Sequence, residues 1–137
     1  MANAAYNPFK QQLLSGGIDL TANTVKALLV TSTYVFSASH EFVSDLAGIL
    51  TNGRSPALAS KTVTNGVFDA DNTTLPSVNS GQTAAAIVVY VDTGSDATSR
   101  LLAFFDTNVT GLPFSTTGGD ITITWDDGAN KIFALNG

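Results

Sequence analysis

The sequence predicts a mainly β fold: an antiparallel β-sandwich or flattened barrel of six to eight strands, with one or two short helices near the N-terminal half. Three observations carry this. Ile121, Ile123 and Trp125 alternate with Thr122 and Thr124, the period of two expected of a strand with one buried face. Apolar runs of strand length, rich in β-branched and aromatic residues, recur at residues 24–31, 84–93, 99–106 and 131–135 between clusters of Gly, Asn, Asp and Ser. The chain has 137 residues and no cysteine, so one domain must hold together by its core, and that length suffices.

Residues 1–23 read as an N-terminal helix or arm and residues 24–137 as a single β domain. The helix is expected over residues 7–17. Asn7 can cap it, Pro8 fits its first turn, and Gly16-Gly17 supply a left-handed stop. Phe9, Leu13 and Leu14 fall near one face. They are the expected interface residues if this helix grips a neighbour, and otherwise they cover an open sheet end.

Residues 24–31 form the first strand, apolar enough to be covered on both faces. Residues 37–50 read as a helical or irregular crossover, capped by Ser37 or Ser39, with Phe42, Leu46, Ile49 and Leu50 facing inward. Asn52-Gly53 and Ser55-Pro56 end it. Asn65-Gly66, set among β-branched residues, marks a tight turn or a bulge within residues 60–69. Residues 71–81, with Pro76, read as a polar loop. Four strands follow. Residues 92–98 join the first two and residues 126–130 the last two, with Gly128 at a positive-φ position.

Charged residues make up 12% of the chain, about half the usual share, and 18 Thr, 12 Ser and 10 Asn take over the polar role. The surface is therefore hydroxyl-rich, with apolar area left for neighbouring subunits or a larger lattice. Net charge is −5, and Lys10, Lys26, Arg54, Lys61, Arg100 and Lys131 are scattered. Nucleic-acid binding needs clustered basic residues and is rejected. No apolar run approaches the length of a membrane span, and no secretory leader is readable.

Each catalytic or metal constellation in the sequence has a plainer reading. His40 is the sole histidine and Glu41 the sole glutamate. Without a Gly-x-Ser-x-Gly elbow, His40 reads as a polar residue at a helix start. Asp69, Asp71 and Asn72, and also Asp92 and Asp96, have the alternate spacing that calcium favours, but they lack the later glutamate of a calcium loop and serve equally as turn caps. Gly16-Gly17 and Gly118-Gly119 lack a phosphate-loop lysine. Asn72 and Asn108 match the glycosylation triplet, as expected by chance in so Asn- and Thr-rich a chain. Tyr34, Phe36, Phe104, Phe105, Phe114, Trp125 and Phe133 would suit a sugar platform, yet aromatics at strand spacing more often fill a core. No catalytic, cofactor-binding or metal residue is assigned.

Several blocks follow one order: Lys26-Ala-Leu-Leu-Val-Thr-Ser-Thr-Tyr34, His40-Glu-Phe-Val-Ser-Asp45, Lys61-Thr-Val-Thr64, Val89-Tyr-Val-Asp-Thr-Gly94, Ser99-Arg-Leu-Leu-Ala-Phe-Phe-Asp106 and Ile121-Thr-Ile-Thr-Trp-Asp-Asp-Gly-Ala-Asn-Lys-Ile-Phe133. This order resembles a family of small tailed-bacteriophage virion proteins, the capsid decoration or cement proteins, over about residues 24–135. The resemblance implies a non-enzymatic structural protein on the outer surface of the phage head. It would be made in the host cytoplasm and would stabilise the shell by binding the major capsid protein. It also implies a homo-oligomer, with a trimer favoured, and no cofactor, nucleic acid or membrane as partner. The alternative is a tail, neck or fibre component that binds host-surface glycan through residues such as Trp125 or Tyr90. A hydrolase built on His40 is the third reading.

Overall fold

The computed structural model describes residues 4–106, 114–125 and 132–134. The fold is mainly β and sandwich-like, with several antiparallel sheets and one helix, and the described strands close no barrel. Among the described residues there are twelve strands, most of them short, where six to eight were expected.

The central sheet has five strands in the order β1-β9-β8-β2-β3: β1 (Ala4–Ala5), β9 (Leu101–Phe105), β8 (Ala86–Val91), β2 (Val25–Val30) and β3 (Ile49–Arg54). The strands β2 and β8 run antiparallel in unbroken register, from Val25 opposite Val91 to Val30 opposite Ala86. Both are almost wholly apolar because neither face meets water. Lys26 is the exception in β2, and its ammonium reaches Asp92 at 2.8 Å.

Three smaller sheets surround this one. The hairpin β4 (Thr62–Thr64) and β5 (Val67–Asp69) turns at Asn65-Gly66, where both residues take positive φ, as a two-residue type I′ turn requires. The strand β12 (Phe133–Ala134) adds to β5 on its other side. The strand β6 (Thr73–Leu75) pairs with β11 (Ile121–Ile123), and β7 (Thr83–Ala84) with β10 (Phe114–Ser115). The last two strands therefore do not pair with each other, as their proximity in sequence suggested. Each returns to an earlier partner. The connection expected at residues 126–130 lies outside the described residues.

The helix α1 spans Asn7–Ser15. Its cap is Tyr6 rather than Asn7, with no side-chain cap bond, and Gly16 in the left-handed region closes it as expected. The crossover at residues 37–50 is mostly irregular. It holds a single 3-10 turn, Val43–Asp45, where Asp45 Oδ2 accepts the Glu41 and Phe42 amides at 2.8 and 3.1 Å. Ile49 and Leu50 belong to β3, and Asn52-Gly53 lies inside that strand at a register shift rather than ending a helix. One continuous core joins these parts, from Tyr6 and Phe9 through β2, β8 and β9 to Leu75, Trp125 and Ile132.

Candidate interaction surface

The residues proposed for an interface divide at the helix. Phe9 is 1% exposed and belongs to the core. Of the three residues expected at an interface, Phe9 instead fits the alternative in which the helix covers the sheet. The helix packs on β9, and the Tyr6 amide donates to Leu102 O at 3.1 Å, so residues 4–15 are built into the central sheet. Leu13 is partly buried at the edge of the core, whereas Leu14 is 86% exposed.

Beyond α1 the chain turns sharply through residues 16–23. The carboxylate of Asp19 accepts the Thr21 hydroxyl at 2.8 Å and the Thr21 and Ala22 amides at 3.1 and 3.3 Å. These bonds, the hydroxyl first, hold its pKa below the usual carboxylate range. The turn sets Ile18 and Leu20 beside the β4–β5 hairpin. Together with Leu13, Val63, Gly66 and Phe68 they line an open groove of about 380 Å³. Val63 is 51% exposed, so the groove continues into uncovered apolar surface. A second hollow of about 320 Å³ is lined by Val30, Tyr34, Phe36, Ala86 and Phe104, with the exposed Val35 at its rim.

His40 faces a phenol rather than a nucleophile. Its Nδ1 lies 2.8 Å from the Tyr34 hydroxyl, which lies 2.8 Å from the buried Tyr6 hydroxyl. Burial pushes both phenols above their ordinary range. Such a chain ties α1 to the loop after β2 and offers no activated serine. Glu41 pairs with Arg100, whose guanidinium also stacks over Phe42, 5.0 Å from the ring centre.

Of the aspartates with calcium-like spacing, Asp92 and Asp96 are held by cations. Asp92 meets Lys26 and accepts the Gly94 amide at 3.0 Å. Asp96 meets Arg54 in a two-point pair at 2.8 and 2.9 Å. These partners lower both carboxyl pKa values. Among the described residues, no three acidic or imidazole groups gather as a metal cluster. Asn72, though exposed, has its Oδ1 engaged by the Trp125 amide at 3.0 Å. The side chain of Phe133 and all of Asn108 lie outside the described residues.

The aromatic residues suggested as a sugar platform are mainly core. Trp125 is 5% exposed and donates its indole N–H to Asp71 O at 3.2 Å, while Tyr90 is 1% exposed. Tyr34, Phe36 and Phe104 pack against one another at ring separations of 5.2 to 5.9 Å. No helix among the described residues is long and apolar enough to cross a membrane. Comparison with known proteins finds no matching family model, curated protein or solved structure.

Proposed function

We propose that this protein is a non-enzymatic decoration subunit of a tailed-bacteriophage head, bound to the outer surface of the assembled shell. The ordered set of sequence blocks carries the reading. Their positions in the fold support it: the blocks at residues 26–34, 89–94 and 99–106 fall on or beside the adjacent strands β2, β8 and β9. The block at residues 40–45 reaches the same place, because Phe42 bridges to Arg100. Four of the six blocks thus gather on the central sheet, while those beginning at Lys61 and Ile121 contribute β4 and β11 to two of the smaller sheets.

The major capsid protein is the partner, and sister copies close into a homo-oligomer, a trimer at local three-fold positions. Leu14, Leu13 and Val63 supply the apolar contact. A subunit that binds the assembled lattice and not free shell protein stabilises assembly by mass action. Contacts to several shell subunits at once would raise effective concentration further.

Quantitative mass spectrometry of virions made from the genome that encodes this chain tests the proposal. Copies of the same order as the major shell protein support head decoration. A few copies per particle move the protein to the neck, tail or fibre, and its absence overturns a virion role.

A further inference from the structure

The described residues hold two Asn-Gly pairs, and the fold treats them differently. A third, Asn136-Gly137, lies outside the described residues. We propose that Asn65-Gly66 is a site of spontaneous modification, in which Asn65 converts to aspartate and isoaspartate through a cyclic imide while Asn52 is protected.

Asn65 and Gly66 are both exposed at the tip of the β4–β5 hairpin. No hydrogen bond among the described residues holds the Asn65 side-chain amide. Their φ values are 51° and 77°. A flip of the one peptide plane between them changes the turn from type I′ to type II′, with Asn65 keeping its positive φ. Gly66 then passes to roughly −80°, which glycine adopts as readily as a positive φ. The flip carries ψ of Asn65 to roughly −120° and swings the Gly66 nitrogen toward the side-chain Cγ of Asn65.

The chemistry then needs only water and hydroxide. Gly66 N loses its proton to hydroxide and attacks Cγ of Asn65. The N–Cγ bond forms, the Cγ–Nδ2 bond breaks, and ammonia departs. Water opens the resulting imide at either carbonyl. Water attack at Cγ breaks the N–Cγ bond and gives aspartate with the main chain restored, whereas attack at the main-chain carbonyl carbon breaks its bond to nitrogen and gives isoaspartate, in which the main chain runs through the β-carboxyl. The sum is amide plus water to acid plus ammonia, with no change of oxidation state.

Asn52 has the same sequence neighbour and a positive φ of 56°, yet its surroundings oppose this route. Its Nδ2 donates to Asn79 Oδ1 at 3.0 Å. The preceding residue is pinned too, since Gln82 Oε1 accepts the Thr51 amide at 2.8 Å. Gly53 is buried, and a Cβ placed there would lie 2.6 Å from Leu50 Cβ, so little room exists for its peptide to turn.

Conversion at Asn65 has a local consequence. It adds one negative charge to the net −5 and places it at the mouth of the groove that Gly66 and Val63 line. The isoaspartate form adds a methylene to the main chain, and a two-residue turn cannot absorb that without losing the β4–β5 register.

The test is ageing of the full-length protein at mildly alkaline pH, folded and in concentrated urea, with tandem mass spectrometry locating each new acid. In the folded protein, Asn65 converts about tenfold faster than Asn52 or more. In urea the two rates converge. Asn65→Gln abolishes conversion at that site and leaves the Asn52 rate unchanged. Equal rates in the folded protein, faster conversion at Asn52, or a ratio that urea does not alter would each overturn the proposal.

Discussion

Tyr6 is fully buried, and its hydroxyl depends on Tyr34 at 2.8 Å. Burial first, and the Tyr34 bond second, push its pKa far above the ordinary phenol range. The folded state therefore holds this proton more tightly than the unfolded chain does. The linked stability is whole below about pH 10 and is lost as pH rises beyond it. Tyr6→Phe should cost about 1 kcal/mol at neutral pH and make the alkaline decline shallower, both read from urea midpoints across the alkaline range. Within α1, Phe9 and Leu14 show how differently two apolar side chains of one helix can stand. Phe9→Ala opens a cavity and should cost about 3–5 kcal/mol. Leu14→Asp, at a position 86% exposed, should leave stability within about 0.5 kcal/mol while lowering occupancy on shells about tenfold. Denaturation curves and a shell-binding assay on both variants separate the two roles.

At the scale of elements, the exposed edge of β3 is guarded by a side chain. Gln82 accepts the Thr51 amide at 2.8 Å and donates to Thr51 O at 3.3 Å, so one amide group mimics a paired residue. Unpaired strand edges invite other chains. Gln82→Ala should lower stability by about 1 kcal/mol and introduce concentration-dependent association, measured by light scattering. The same strand shows what sequence reading could and could not reach. The strands β2, β8 and β9 were legible because burial on both faces leaves a continuous apolar run. The β4–β5 hairpin was legible because Asn65-Gly66 meets a backbone demand within its own turn. In β3, Asn52-Gly53 looked like a terminator, although it is a bulge whose continuation depends on pairing with β2. In β6, Thr73-Thr74-Leu75 looked like loop, because its strand character comes from β11, some fifty residues away. The apolar face of α1 was half legible. Helical spacing placed Phe9, Leu13 and Leu14 near one another, but only β9 decides which of them turns inward.

Across the whole molecule, charge is sparse and locally committed. Lys26 and Arg54 hold Asp92 and Asp96, and those carboxyl pKa values fall below the usual range. For a depressed carboxyl pKa, the linked stability is present above about pH 4 and is lost as pH falls through the folded-state value. Partial exposure screens both pairs, so the effect is small. The double variant Asp92→Asn with Asp96→Asn should be slightly less stable at neutral pH and show a flatter acid decline, checked by thermal midpoints from neutral to acid.

The returning strands have a consequence for when the protein becomes itself during synthesis. The strands β10, β11 and β12 complete sheets begun by β7, β6 and β5. A growing chain therefore carries unfilled places until β12 has left the ribosome, and a nascent copy stopped short of β11 would leave Trp125 and Ile123 missing from the core. These three sheets, unlike the pairing of β2 with β8, therefore close only late in synthesis.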